Sequence, residues 1–161
     1  MKKIIGLLIT LSFMLSACSK PSELDAKMAT YKAHYELIDQ HQKFLKESSY
    51  FNVETEMIKQ NGNYIYYIVV DQAKIEMHDV VLMVVENDQL YQNNPKMMPS
   101  AGIFDRAYSL IPKQINKDFG YMKGIIISGE SKQANIKVEL LVEWRNSRKE
   151  LQREFLSLNI K

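Results

Sequence analysis

The sequence predicts a mainly β chain in which two sheets stack face to face and one N-terminal helix packs on them. Three observations carry this. Apolar residues recur at Leu24, Met28, Tyr31, Tyr35, Ile38 and Leu45, with Gln42 in the remaining slot, and this four-and-three spacing marks a single helical stripe. Behind it, about seven strand-like segments are separated mostly by short turn signals, the pattern of a sandwich. Two of them, 64–70 (YIYYIVV) and 80–85 (VVLMVV), are apolar on both faces, whereas a strand in a simple sandwich buries only one. Something must cover their outer side, and the helix is the available element. A single antiparallel sheet with the helix on one face fits the same pattern and stands as the alternative.

The chain opens with Lys2-Lys3 and a mostly apolar run from Ile4 to Leu15, the charged and apolar regions of a secretory signal. The run is too short to span a bilayer, which takes roughly 20 apolar residues. Leu15-Ser16-Ala17-Cys18 follows. This stretch resembles the precursors of bacterial lipoproteins, whose lipobox reads Leu-(Ala/Ser/Thr)-(Gly/Ala)-Cys, and it matches at every position. The resemblance implies that diacylglycerol is attached to the Cys18 thiol and that a signal peptidase recognising Leu15, Ser16 and Ala17 cuts before Cys18. It further implies a mature protein held on the extracytoplasmic face of the cell membrane. Stable anchoring takes two acyl chains, because one holds only marginally. The expected organisation is a signal peptide over 1–17, a lipidated tether over 18–21, an amphipathic helix over 22–47 and a β-rich domain over 48–161.

Composition agrees with one domain. Removing 1–17 from 161 residues leaves a chain long enough for a core without staples, and a lone cysteine permits no internal disulfide. The net charge of +2 comes from Lys2 and Lys3; without them 19 basic residues balance 19 acidic ones. That balance points away from nucleic acid and from a general polybasic surface.

Along the chain, Ser22 reads as an N-cap, with Glu23 and Asp25 where the helix dipole favours acids. The stripe suits either a coiled-coil seam or docking on the chain's own domain, and the two-faced strands favour docking. Glu47-Ser48-Ser49 is expected to close the helix. Phe51, Val53, Thr55 and Met57 then alternate as a strand, Asn61-Gly62 is a strong hairpin signal, and 64–70 returns. Residues 73–77 alternate, with Lys74, Glu76 and His78 on the wet side. Residues 87–120 are rich in turn chemistry, a length that marks a loop as functional or partly structured. Strands resume at 123–127, with Ser128-Gly129 as their end, and at 136–144, with Lys137, Glu139, Glu143 and Arg145 opposite the apolar set. A turn at Asn146–Lys149 leads to a last strand, whose change of apolar phase between Leu151, Phe155 and Leu156 suggests a bulge. From Lys123 onward this order is similar to the immunoglobulin-like domains of small exported bacterial lipoproteins. The likeness extends over about the last 110 residues of the sequence, and it lacks the Cys…Trp…Cys framework of true immunoglobulin domains. It implies an immunoglobulin-like β-sandwich.

Little in the sequence reads as catalysis. His34 and His41 are seven apart, whereas a helical metal pair sits four apart. The expectation for them, for His78 and for the acid pairs Glu54/Glu56 and Glu139/Glu143 is solvation. No nucleophile elbow, phosphate loop, metal-ligand set or cofactor motif is present, so neither metal nor cofactor is expected. Two surface features read as recognition sites. Arg145, Arg148, Lys149 and Arg153 gather three of the four arginines near one hairpin tip, suited to an anionic polymer or lipid surface. Met97, Met98, Ile103 and Phe104 form either an apolar contact patch or a plug for one end of the sandwich. The expected function is that of a lipid-anchored binding or assembly module meeting an envelope protein or anionic polymer, against the alternative of an envelope enzyme or accessory factor with a carboxylate site. A cleft holding paired acids or a His–acid pair with shifted pKa values favours the enzyme, and an exposed patch favours binding.

Overall fold

The computed structural model describes residues 21–94 and 96–161. Leu15, Ser16, Ala17 and Cys18, and with them the signal and anchor readings, lie outside the described residues. The helix α1 spans Glu23–Asp39 and starts where the sequence places it. Asp25 N donates to Ser22 Oγ and Ser22 N to Asp25 Oδ2, both at 3.1 Å, closing a capping box that satisfies two end groups reciprocally.

Two antiparallel sheets follow. The smaller has the order β1-β2-β6, with β1 at Asn52–Gln60, β2 at Asn63–Asp71 and β6 at Gly124–Ser131. The larger runs β4-β3-β7-β8, with β3 at Met77–Glu86, β4 at Ser100–Ala101, β7 at Ile136–Arg145 and β8 at Leu151–Ile160; the short β5, Tyr108–Leu110, also pairs with β3. This is the strand order of an immunoglobulin-like sandwich, with β1-β2-β6 standing as A-B-E against C′-C-F-G. The single-sheet alternative is thereby excluded. Asn61 and Gly62, at φ 49 and 86, make the β1–β2 turn with the left-handed pair that such hairpins require.

Two cores result. Tyr66, Ile68, Val70, Ile125 and Ile127 from the small sheet meet Leu82, Val84, Leu140, Val142 and Trp144 from the large one. On the far side of the large sheet, Tyr31, Tyr35 and Ile38 of α1 pack on Met83, Val85 and Leu141. This second core accounts for the two-faced apolar pattern of β3. The helix does not reach β2, whose outward Ile65, Tyr67 and Val69 are only half-buried, so the expectation that it covers both strands is corrected to β3 and β7.

Three further expectations change. The helix ends at Asp39, not near residue 47. Beyond it His41 stacks on Phe155 at 3.7 Å and 11°, and Leu45 forms a parallel bridge to Leu156, its N–H donating to Phe155 O at 2.8 Å. Residues 41–45 thus leave the helical stripe to become a strap along the outer edge of β8. The β7–β8 register is unbroken from Ile136↔Ile160 to Arg145↔Leu151, so the last strand has no bulge; its change of phase arises because Phe155 faces the strap while Leu156 faces the sandwich core. Gly129 does not end β6. It lies against Tyr66, and a Cβ there would overlap the phenol ring.

Candidate functional site

The bulge in the large sheet sits in β3 instead. His78 pairs with Arg145, but Val81 pairs with Glu143, so β3 carries one extra residue there, with Asp79 at φ 49. This brings His78 and Asp79 to the mouth of the β7–β8 turn. That turn is organised by Asn146, whose Oδ1 accepts from Arg148 N at 2.9 Å and Glu150 N at 3.0 Å, while Lys149 takes the left-handed position at φ 62. Arg145 is held from two sides: its Nη1 donates to Lys149 O at 3.0 Å and its Nε lies 3.9 Å from Asp79 Oδ2.

Between the bulge and the turn lies an open cavity of about 470 Å³, lined by His78, Asp79, Ser109, Arg145, Ser147 and Lys149. Among the described residues Lys149 has no acidic partner. A guanidinium fork, a free ammonium and a serine hydroxyl around one cavity suit a phosphate or carboxylate group, with Arg145 supplying the directional contact. Arg148 stands outside the cavity, exposed and 3.7 Å from Glu150.

Arg153 does not join this group. Its Nε donates to Glu143 Oε2 at 2.6 Å, and Glu143 Oε1 meets His34 Nε2 at 3.2 Å beneath α1. Nδ1 of His34 lies 2.8 Å from Thr30 O, so both ring nitrogens face acceptors and the doubly protonated ring satisfies both. Burial opposes the charged ring, but the Glu143 carboxylate and the Thr30 carbonyl outweigh it and hold the His34 pKa above its ordinary value. Burial likewise acts to raise Glu143, yet the bonds from His34 and Arg153 win and leave its pKa lowered. The solvated reading of His34 and Glu143 is therefore corrected. They form a His–acid pair with shifted pKa values, but Arg153 saturates the carboxylate and the trio bonds the helix to the sheet. Glu139, also expected in solvent, is buried and bonded by Lys137 Nζ at 2.9 Å.

The apolar candidates divide as well. Met98 and Ile103 are 3% and 5% exposed in the helix-side core, Phe104 packs against them, and Met97 alone is largely exposed. Tyr31 Oη accepts from Met98 N at 2.7 Å, which locks the segment under the helix. These residues plug the structure, and the contact-patch reading is corrected for Met98 and Ile103. Sequence reasoning missed His78 and Asp79 as cavity residues, since nothing local announces a one-residue bulge. Among the described residues no cluster of His, Cys, Asp and Glu has a metal-binding arrangement.

No family model and no curated protein matches the chain. Solved structures similar to it include the following two. One, titled only as Northeast Structural Genomics Consortium target SoR45, gives a TM-score of 0.42 at 8% identity, covering 68% of this chain and 83% of that one. The other is the collagen binding subdomain of the Enterococcus faecalis surface protein ACE, with a TM-score of 0.36 at 10% identity, covering 73% of this chain and 99% of that one. Neither likeness carries an argument about ligands.

Proposed function

We propose that the chain is a lipid-anchored, extracytoplasmic binding module without enzymatic activity, which presents the Arg145–Lys149 cavity to an anionic group on an envelope polymer or protein. The observation that carries the reading is Leu15-Ser16-Ala17-Cys18 directly after a charged and apolar leader. No described helix is long and apolar enough to cross a membrane, so in this reading the acyl chains on Cys18 supply the attachment. The cavity supports binding over catalysis: beside His78 it holds cationic donors and one ion-paired carboxylate, whereas the shifted His34–Glu143 pair lies beneath α1 and does not line it.

The anchor is tested by metabolic palmitate labelling. Cys18→Ser is expected to lose the label and processing before residue 18, and unchanged labelling sinks the reading. The cavity is tested by retention on an immobilised glycerol-phosphate polymer. Arg145→Glu with Lys149→Glu is expected to lower retention on the order of tenfold or more, while Arg153→Gln, lying outside the cavity, leaves it unchanged.

A further inference from the structure

The segment between β5 and β6 folds into a small lobe closed on itself. Asn116 and Tyr121 exchange backbone hydrogen bonds at 3.0 and 2.8 Å, Ile111 bridges Gln114, and the Asn116 side chain accepts from Asp118 N to cap a 3-10 turn at Lys117–Phe119. Gly120, at φ 70, then reverses the chain. What this scaffold turns outward is apolar. Phe119 is 72% exposed, the most of any large hydrophobic among the described residues, and Ile115 is 63% exposed. Lys113 lines the same surface as Ile115 and Phe119, Lys123 lies beside Ile115 and Lys117 shares the turn of Phe119; all three are exposed, none with an acidic partner among the described residues. The acids on the same stretch of surface are Asp118, beside Phe119, and Asp71, which pairs in register with Gly124 and accepts from Asn52.

An apolar tip on a loop whose backbone is bonded to itself, with three exposed lysines beside it, suits one kind of surface. Lysine is depleted in protein–protein interfaces. At a bilayer the same residues divide naturally, the apolar side chains entering the boundary of headgroups and acyl chains while the lysines are drawn to the anionic surface.

We propose that the 111–123 lobe is a second membrane contact, with Ile115 and Phe119 inserted into an anionic bilayer and Lys113, Lys117 and Lys123 on lipid phosphates. The start of α1 is linked to this side of the domain by a chain of contacts: Lys27 Nζ donates to Phe104 O, Tyr108 Oη donates to the neighbouring Asp105, and Arg106 reaches Met122 at the lobe's base. The inference rests on the anchoring reading, in which Cys18 holds the domain at the bilayer.

The test uses the full lipidated protein carrying Phe119→Trp, reconstituted in vesicles of brominated phosphatidylcholine, alone or mixed roughly three to one with phosphatidylglycerol. The native Trp144 is 1% exposed and buried in the sandwich core, out of contact with lipid bromines, so it adds a constant unquenched emission that is subtracted using the protein without the Phe119→Trp change. Emission from position 119 is expected to be quenched by about half in the anionic vesicles and little in the neutral ones, with the quenching lost in Lys113→Glu, Lys117→Glu, Lys123→Glu. An unchanged near-ultraviolet signal from Trp144 shows that this variant remains folded. Absent quenching in anionic vesicles, as a protein partner for this patch would give, overturns the proposal, and so does quenching equal in both vesicles or indifferent to the lysines. Flotation separates the two readings: protein that fails to float with vesicles lacks its anchor, while floating protein with an unquenched probe lacks the lobe contact.

Discussion

Replacing Glu143 by Gln keeps the shape of the side chain and removes the charge between His34 and Arg153. Arg153 is the more exposed partner and can turn to solvent, while His34, buried beneath α1, loses the carboxylate that sustains its charge and must either face a neutral amide or give up its proton. Removing one partner of a buried pair costs about 3–5 kcal/mol, and release of Arg153 lowers this toward about 2 kcal/mol, the scale of one charge-assisted hydrogen bond. With a urea dependence of about 2 kcal/mol per molar, the unfolding midpoint should fall by about 1 M. Trp144, the only tryptophan, reports the transition. The pH dependence follows from the two shifts. His34 is raised above its ordinary 6.5, so its contribution is complete below 6.5 and is lost as pH rises through the raised value. Glu143 is lowered below its ordinary 4.5, so its contribution is complete above 4.5 and is lost as pH falls through the lowered value. The pair is therefore strongest between 4.5 and 6.5, and the deficit of Glu143→Gln should shrink toward alkaline pH. A midpoint within about 0.3 M of the parent near pH 6, or a deficit undiminished near pH 9, refutes the reasoning.

Two glycines should lose stability under the same substitution for different reasons. Gly129→Ala must displace Tyr66, which donates to Glu86 at 2.6 Å, and an overpacking cost of about 1–3 kcal/mol is expected in denaturant melts. Gly62→Ala meets no atom within 4 Å, so the expected cost of about 1 kcal/mol arises from φ 86 alone, and the backbone amides of the core strands should keep their hydrogen-exchange protection. Leu45→Pro removes the N–H that reaches Phe155 O and is expected to cost about 1–2 kcal/mol, with exchange rising first along β8.

The start of α1 was legible because a capping box is local: Ser22 and Asp25 are three residues apart. Its end was not. Residues 41–45 continue the helical spacing, and only the presence of Phe155 and Leu156 draws them off into the strap. Glu143 alternates like a solvent-facing residue along β7, and what buries it is α1 crossing that face, a fact about 109 residues of separation from His34. Gly129 illustrates a similar ambiguity, since a glycine that accommodates a distant phenol looks like one that ends a strand. At the cavity, Arg145 and Lys149 were visible as a cluster of cations at a turn. Arg153 lies close to them in sequence, but the β7–β8 register sets it opposite Glu143 and away from the cavity, a pairing that sequence proximity does not reveal.

The helix lying across the large sheet also determines how the molecule responds to being pulled. Load applied through the N-terminal end arrives first at the Ser22 cap and the Lys27–Phe104 contact, then passes along α1 to Tyr31, His34 and Ile38 in turn. Each row of contacts is loaded singly and not in parallel, so the helix peels at low force and takes up extension. Only when the Leu45–Leu156 bridge opens does the pull pass along the chain to β1. The α1 segment is thus a mechanical fuse, yielding ahead of the fold that carries the cavity.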